Sequence, residues 1–214
     1  MAICISKTIS QLGEKFVLTP ERYNPRRRMN IEVDGVKLSE LVYLSDEILT
    51  YKKGKTEEQY QINTGDAMGG YLRIPQSKEM LNSSKKTLHK GDVIISRLRP
   101  YLKQIAYVDD VIADGLYAST EFYVLRGRSE QSIAFLVPYL LSDAAQTVFA
   151  NSVEGSQHPR FKEEDINNLV IPISLLEKRD ELSEEVESAI RDYREYESRL
   201  SRQVFMVNSA MQGV

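Results

Sequence analysis

Two rhythms of apolar residues divide this 214-residue chain near Pro172. Before it they come in short runs between polar or glycine-bearing stretches, and after it they recur at steps of four and three. Among the short runs, GDVIIS (91–96), QIAYV (104–108) and EFYVLR (121–126) are rich in β-branched and aromatic residues and predict strands. YLRIP (71–75) and NNLVIPI (167–173) predict shorter strands, each interrupted or closed by proline. Asp34-Gly35 predicts a turn before a short apolar element within 36–48. The polar stretch 51–70, with Gly65, Gly69 and Gly70, predicts a loop. SIAFLVPYLLS (132–142) and the DAAQTVFANS after it predict two helical pieces, with Pro138 starting or kinking one of them.

Beyond Pro172 the pattern is simpler. Leu182, Val186, Ala189, Tyr193, Tyr196 and Leu200 follow the four-three step, and Gln203 and Val207 continue it. No proline or glycine falls within residues 173–212, and charged residues fill most other positions. The pattern predicts one helix, which from 175 to 207 alone reaches ~50 Å. A seam this narrow suits a helix that packs along another helix, and an amphipathic helix lying on its own domain has the same period. The length favours a projecting arm, with those six seam residues as its dimer or partner interface, because an isolated seam of this kind is marginal without a partner. The expected fold class is therefore α+β: a mixed-sheet domain over 1–173, then one long C-terminal coiled-coil helix over 174–214.

The net charge of −3 hides an asymmetry. Residues 177–202 hold nine acids and six bases, whereas residues 52–103 hold eleven Lys or Arg against five acids, and RYNPRRR (22–28) adds four arginines. Screening confines each field to ~8–10 Å, so local charge governs encounter with a polyanion. The basic stretches point to nucleic acid, with Lys85, Lys86, Arg26 and Arg27 among the candidate contacts. In ISRLRP (95–100), Arg97 and Arg99 alternate with Ser96 and Leu98, so an extended chain projects both guanidiniums from one face. A guanidinium can bond guanine or a phosphate with a planar fork, and phosphate contacts are the commoner kind. An ion pair with a neighbouring acid such as Asp92 is the competing role for either arginine.

Catalytic chemistry is hard to find. One cysteine (Cys4) and two histidines (His89, His158) leave no zinc spacing. There is no phosphate-binding GK[ST] loop and no GxSxG elbow, and Asn24-Pro25 is followed by Arg26 where an adenine methylase motif needs proline. Asp109 and Asp110 lack the lysine that a nuclease strand would add, and His158 reads as a polar loop residue. The expectation is a non-catalytic protein without metal or cofactor. The single cysteine fits a reducing cytoplasm, the N-terminus is a poor secretory signal, and no run approaches the ~18 apolar residues of a membrane span.

The order of LHKGDVIISRLRPYLKQIAYV (88–108), STEFYVLR (119–126), VEGSQHPRFKEEDINNLVIPI (153–173) and a long charged helix resembles the specificity subunits of type I restriction–modification systems. The resemblance implies a DNA target recognition domain with a glycine-aspartate strand at Gly91-Asp92, followed by a polar loop matched by Gly155 to Arg160. After an acidic helix start at Glu164-Asp165-Ile166 and the strand Ile171-Pro172-Ile173 comes a spacer helix. It adds Lys103, Gln157 and Arg160 to the candidate DNA contacts. Most such subunits carry two recognition domains and two helices, and this chain carries one of each. The implied function is a half-length subunit that binds one half-site of double-stranded DNA and dimerises through its helix with a second copy. It would recruit a modification subunit that methylates adenine, with a restriction subunit as a further partner. Antiparallel arms would give a split, inverted target. The alternatives are a protein-binding adaptor that dimerises through its helix, and the detached recognition domain of a fused methylase–nuclease.

Overall fold

Val93–Ser96 forms a strand buried along its whole length, and the rest of the domain is layered around it. The computed structural model describes residues 6, 8–12, 34–53, 57–110, 115–153 and 159–212. A 3-10 turn at Ile9–Leu12 precedes β1 (Gly35–Lys37), α1 (Leu38–Leu41), β2 (Val42–Leu44), β3 (Ile48–Leu49), β4 (Glu58–Gln59), β5 (Gln61–Ile62) and β6 (Ala67–Met68). Then come β7 (Tyr71–Leu72), β8 (Glu79–Met80), β9 (Lys85–Leu88), β10 (Val93–Ser96), β11 (Ile105–Tyr107), β12 (Leu116–Ser119) and β13 (Phe122–Gly127). The chain ends with α2 (Leu136–Leu141), α3 (Asp143–Ser152), α4 (Glu163–Asn167), β14 (Val170–Pro172), α5 (Ile173–Leu176) and α6 (Arg179–Gln212).

The central sheet has the order β11-β10-β13-β2, all antiparallel. Strand side chains alternate between faces, and here each face has its own cover. Val93, Ile95, Ile105, Tyr107, Tyr123 and Leu125 point to a cluster roofed by Leu136, Phe149, Phe161 and Ile166 of the helical side. Ile94, Ala106, Phe122 and Val124 point the other way, onto Ile62, Leu88, Leu116 and Ala118 of a second sheet ordered β3-β9-β12-β5. Burial on both faces explains why these strands read as continuous apolar runs rather than as an alternation. Three two-stranded pairs, β1-β14, β4-β8 and β6-β7, complete the domain.

The expected strands at 91–96, 104–108, 121–126, 71–75 and 167–173 and both helical pieces are present. Pro138 lies in the first turn of α2, where its missing N–H costs nothing. The stretch expected as a loop, 51–70, instead contains β4, β5 and β6. Its strands are two residues long, too short to show a period. Gly70, at φ +92°, carries the β6-β7 pair to the edge of β11: its N–H donates to Ile105 O at 2.9 Å, and Tyr107 N–H donates back to Gly70 O at 3.1 Å. A Cβ there would sit 2.8 Å from Val137 Cγ1.

Helix α6, 34 residues long, divides in function halfway. Its first turns lie on the domain. Leu182 and Val186 pack against the larger cluster, Ile190 is buried in it, and Ser183 accepts a hydrogen bond from Phe135 N–H at 3.2 Å. Glu187 accepts from Tyr107 Oη at 3.0 Å and Ser132 Oγ at 2.6 Å. Arg194 then donates to both oxygens of Asp109, at 2.9 and 2.7 Å, and to Leu72 O at 2.9 Å. It also bonds the Tyr71 hydroxyl, which itself donates to Glu197. Beyond Glu197 the apolar side chains of Leu200, Val204, Val207 and Met211 are exposed. The helix is thus bonded to its own domain as far as Glu197, Leu200 and Ser201 still face Ile74 and Pro75 across a shallow cleft, and the tail after them projects. Leu182 and Val186, expected to serve a partner, are partly taken up by the chain's own core.

Arg194→Leu should remove this clasp and leave Asp109 unpaired, lowering unfolding free energy by about 1–3 kcal/mol, as for hydrogen bonds to charged groups. Urea titration of the parent and variant checks this, with Tyr193→Ala as a milder control on the same face.

Candidate nucleic-acid interface

The end of β10 is held from two sides. Arg97 N–H donates to Glu121 O at 2.9 Å, Phe161 N–H donates to Arg97 O at 3.2 Å, and Arg99 N–H donates to Pro159 O at 2.8 Å. Leu98 and Arg160 form the bridge that joins the two segments. Residues 97–99, the Thr120-Glu121 connection between β12 and β13, and residues 159–161 therefore meet at one rim of the central sheet. Arg99 and Lys103 bracket the 3-10 turn Pro100–Leu102, with φ values of 49° and 50°. They are the non-glycine residues with positive φ among the described residues. Left-handed backbone costs an L-residue about 1–2 kcal/mol, and such conformations cluster at ligand-contacting sites.

Glu121 organises the side chains. Its carboxylate accepts from Arg97 Nε at 3.1 Å and, through both oxygens, from Arg160 Nε at 2.9 Å and Nη2 at 2.8 Å. Hydrogen bonds from Arg160 hold the carboxyl below its ordinary pKa of 4.5 against the opposing effect of burial, with Arg97 adding to the depression. Two guanidiniums on one carboxylate leave a net positive rim with the forks fixed in place. Lys86 stands beside it, its Nζ 3.3 Å from Ser45 O and 6.0 Å from the centre of the Tyr123 ring. Burial lowers the Lys86 pKa, and Arg97 lowers it further while Asp46 and Glu163 act the other way. The Arg99 side chain has no ion pair among the described residues.

The candidates separate accordingly. Arg97, Arg99, Arg160 and Lys86 gather at the rim. Lys103 does not join them: its Nζ lies 3.3 Å from Leu141 O and 3.9 Å from Asp143, at the junction of α2 and α3. Lys85, in β9, is 7% exposed, and Lys86 beside it is half-buried on the strand face it shares with Leu88 of the core. Gln157, Arg26, Arg27 and His158 lie outside the described residues. Of the seam, Ala189, Tyr193, Tyr196 and Leu200 are exposed.

Asp92 pairs with neither Arg97 nor Arg99. It is fully buried, accepts from His89 N–H at 2.7 Å across the β9-β10 turn, and takes both Nε and Nη2 of Arg126 at 2.8 and 3.0 Å. Arg126 also reaches Glu47 at 2.7 Å. The aspartate of Gly91-Asp92 is thus a structural lock that leaves Arg97 for Glu121. Sequence reasoning missed Glu121, whose partners lie 24 and 39 residues away. An acid in a two-residue connection between two strands was its one local signal. No group of three His, Cys, Asp or Glu among the described residues could hold a metal ion. No helix among them is long and apolar enough to cross a membrane.

The chain belongs to the family of the type I restriction modification DNA specificity domain, whose model matches residues 32–191. Among solved structures it is similar to a chain from work on complex assembly and conformational transition of the type I R-M system. That match has 25% identity and a TM-score of 0.57, covering 84% of this chain and 47% of that one. It shares the fold of the HsdS subunit from Thermoanaerobacter tengcongensis at 23% identity and a TM-score of 0.56, covering 84% of this chain and 48% of that one. The chain therefore spans about half the length of these structures. No curated protein matches it.

The depressed Glu121 pKa fixes a sign. A carboxyl lowered on folding contributes stability that is fully present above its unfolded pKa and is lost as pH falls through the folded value. Glu121→Gln resembles the protonated acid, so the stability gap between parent and variant should be fully developed above about pH 4.5 and should shrink steadily as pH falls below it. Urea unfolding between pH 3 and 6 measures the difference, and a gap that does not change with pH would remove the ion-pair role from Glu121.

Proposed function

We propose that this chain is a half-length DNA specificity subunit of a type I restriction–modification system. It reads one half-site of duplex DNA through the rim around Glu121 and contributes no methyl transfer or cleavage of its own. The observation that carries the reading is the meeting of the β10 end with residues 159–161, in a chain of the specificity-domain family. These are the two segments whose arginines and polar loop suit a DNA groove. Arg97 and Arg160, braced by one carboxylate, offer pre-positioned planar forks to phosphate or guanine. Lys86 and Arg99 add charge that steers the polyanion to the same place.

A single domain of this size reads few base pairs, too few to mark a rare site. A second copy supplies the rest, joined through α6, and the pair delivers a partner methyltransferase to adenine within the target. A restriction subunit joins the same assembly. An antiparallel pairing of identical arms places the two domains at opposite ends of a shared axis, so the DNA must show two inverted half-sites around unread base pairs.

Selection from random duplex DNA, with and without the cognate methylase, tests this. The expected winner is a split, inverted motif, enriched far more strongly with the methylase present, and methylated only then when S-adenosylmethionine is supplied. A contiguous asymmetric motif, or methyl transfer by the pure chain alone, would refute the proposal.

A further inference from the structure

The connection from β10 to β11 turns its apolar side chains outward. Tyr101 is 66% exposed and Leu102 42%, whereas Pro100 just before them is buried. No hydrogen bond or ring contact from another described residue holds the Tyr101 side chain. The backbone beneath it is held firmly all the same. Leu102 N–H donates to Arg99 O at 2.9 Å, and Lys103 N–H donates to Pro100 O at 2.8 Å. Arg99 N–H ties the near end to Pro159 O, Lys103 Nζ ties the far end to Leu141 O, and α3 packs against the turn. Both bracketing residues keep left-handed backbone, which an L-residue holds only where its surroundings fix it. The domain thus presents, in one fixed shape, an aromatic tip that none of its own described residues engages.

The position of the tip points to what it meets. Arg99 begins the turn, and Arg97 and Arg160 meet on Glu121 at its foot. Three guanidiniums beside an apolar tip suit a polyanion that also carries flat apolar faces. Duplex DNA has both, with phosphates outside and stacked bases within. Tyrosine is uncharged, so it has little to offer a phosphate, whereas its ring can stack on a base. Apolar side chains that enter a groove part the base steps they meet.

From these observations we propose that Pro100–Leu102 is a wedge: with the rim seated on the DNA backbone, Tyr101 stacks on a base and Leu102 follows it, opening one step of the half-site. The proposal rests on the reading of the rim as the DNA contact, and it adds a residue that meets bases rather than phosphates. Phosphate contacts carry no sequence information directly, so Tyr101 becomes a determinant of specificity. The step it opens is a pyrimidine–purine one, TA or CA/TG, because these unstack most easily. A wedge also needs backing, and the buried Pro100 and α3 supply it.

The chain has no tryptophan, so Tyr101→Trp puts a lone indole fluorophore at the tip. Two duplexes serve as probes at low salt, one of alternating dA and dT, the other with one strand all dA and therefore no TA step. Saturation with the alternating duplex should quench the indole, and the all-dA duplex should leave it near its free intensity. Tyr101→Ala should weaken binding to the alternating duplex about tenfold, the order expected for one lost aromatic stack. Its slope of log affinity against log salt should stay that of the parent, since no charge is removed, and Tyr101→Phe should restore the affinity. An indole left unquenched at saturation, or a Tyr101→Ala protein that binds as the parent does, overturns the proposal and leaves the rim reading intact. A Tyr101→Ala protein that keeps its DNA affinity but no longer binds the cognate methylase assigns the turn to a protein contact, and overturns it too. A parent chain that binds neither duplex at low salt removes the rim reading itself.

Discussion

A sheet covered on both faces has only its rim to offer a ligand, and this constraint orders the whole domain. Val93 and Ile95 are needed by the helical layer, and Ile94 by the second sheet. No side chain within β10 is left to meet a partner. What the strand exposes is its end, where Arg97 is the first residue whose side chain leaves the core. The rim also has to be rigid if it is to discriminate, and the domain supplies this through bonds from both flanks and through a carboxylate shared by two guanidiniums. Asp92 and Arg126 do related work one layer down, closing the β9-β10 turn with a buried pair. Their burial makes them costly to break one at a time.

The second constraint is the angle at which the arm leaves. Helix α6 is fixed by polar bonds as much as by packing: Ser183, Glu187, Arg194 and Glu197 each engage the domain through a defined partner. Apolar packing alone tolerates sliding, whereas the forked Arg194–Asp109 contact admits one register. The clasp ends at Glu197, and the apolar side chains of Leu200, Val204, Val207 and Met211 after it are exposed.

Much of this was legible in the sequence, and the reasons for the rest are physical. The strands β10, β11 and β13 were visible because two-sided burial demands unbroken apolar runs. β9 was not, because KKTL carries two lysines and its burial depends on neighbours far along the chain. Short strands such as β4, β5 and β6 have no period to detect. At the site, Arg97, Arg99, Arg160 and Lys86 could be picked out as cations in a basic setting, but Glu121 could not, since its role exists only once three segments converge. Asp92 illustrates the opposite case, a motif residue that serves the scaffold rather than the ligand. The helix seam was legible as a period. Leu182 and Val186 share the four-three step with Leu200 and Val207, yet the first pair leans into the domain and the second faces solvent. Periodicity fixes an angle around the helix, not what stands opposite.

The central claim is that the Glu121 rim carries the DNA contact. Its most direct test is the salt dependence of duplex binding by the parent and by the Arg97→Ala, Arg99→Ala double variant, followed by fluorescence anisotropy. Each phosphate neutralised contributes about −0.9 to the slope of log affinity against log salt concentration. The account predicts weaker binding by the variant at every salt concentration, with a slope shallower by up to about 1.8 if both arginines meet phosphate. Equal affinity and equal slope for the two proteins, with the variant folded, would contradict it.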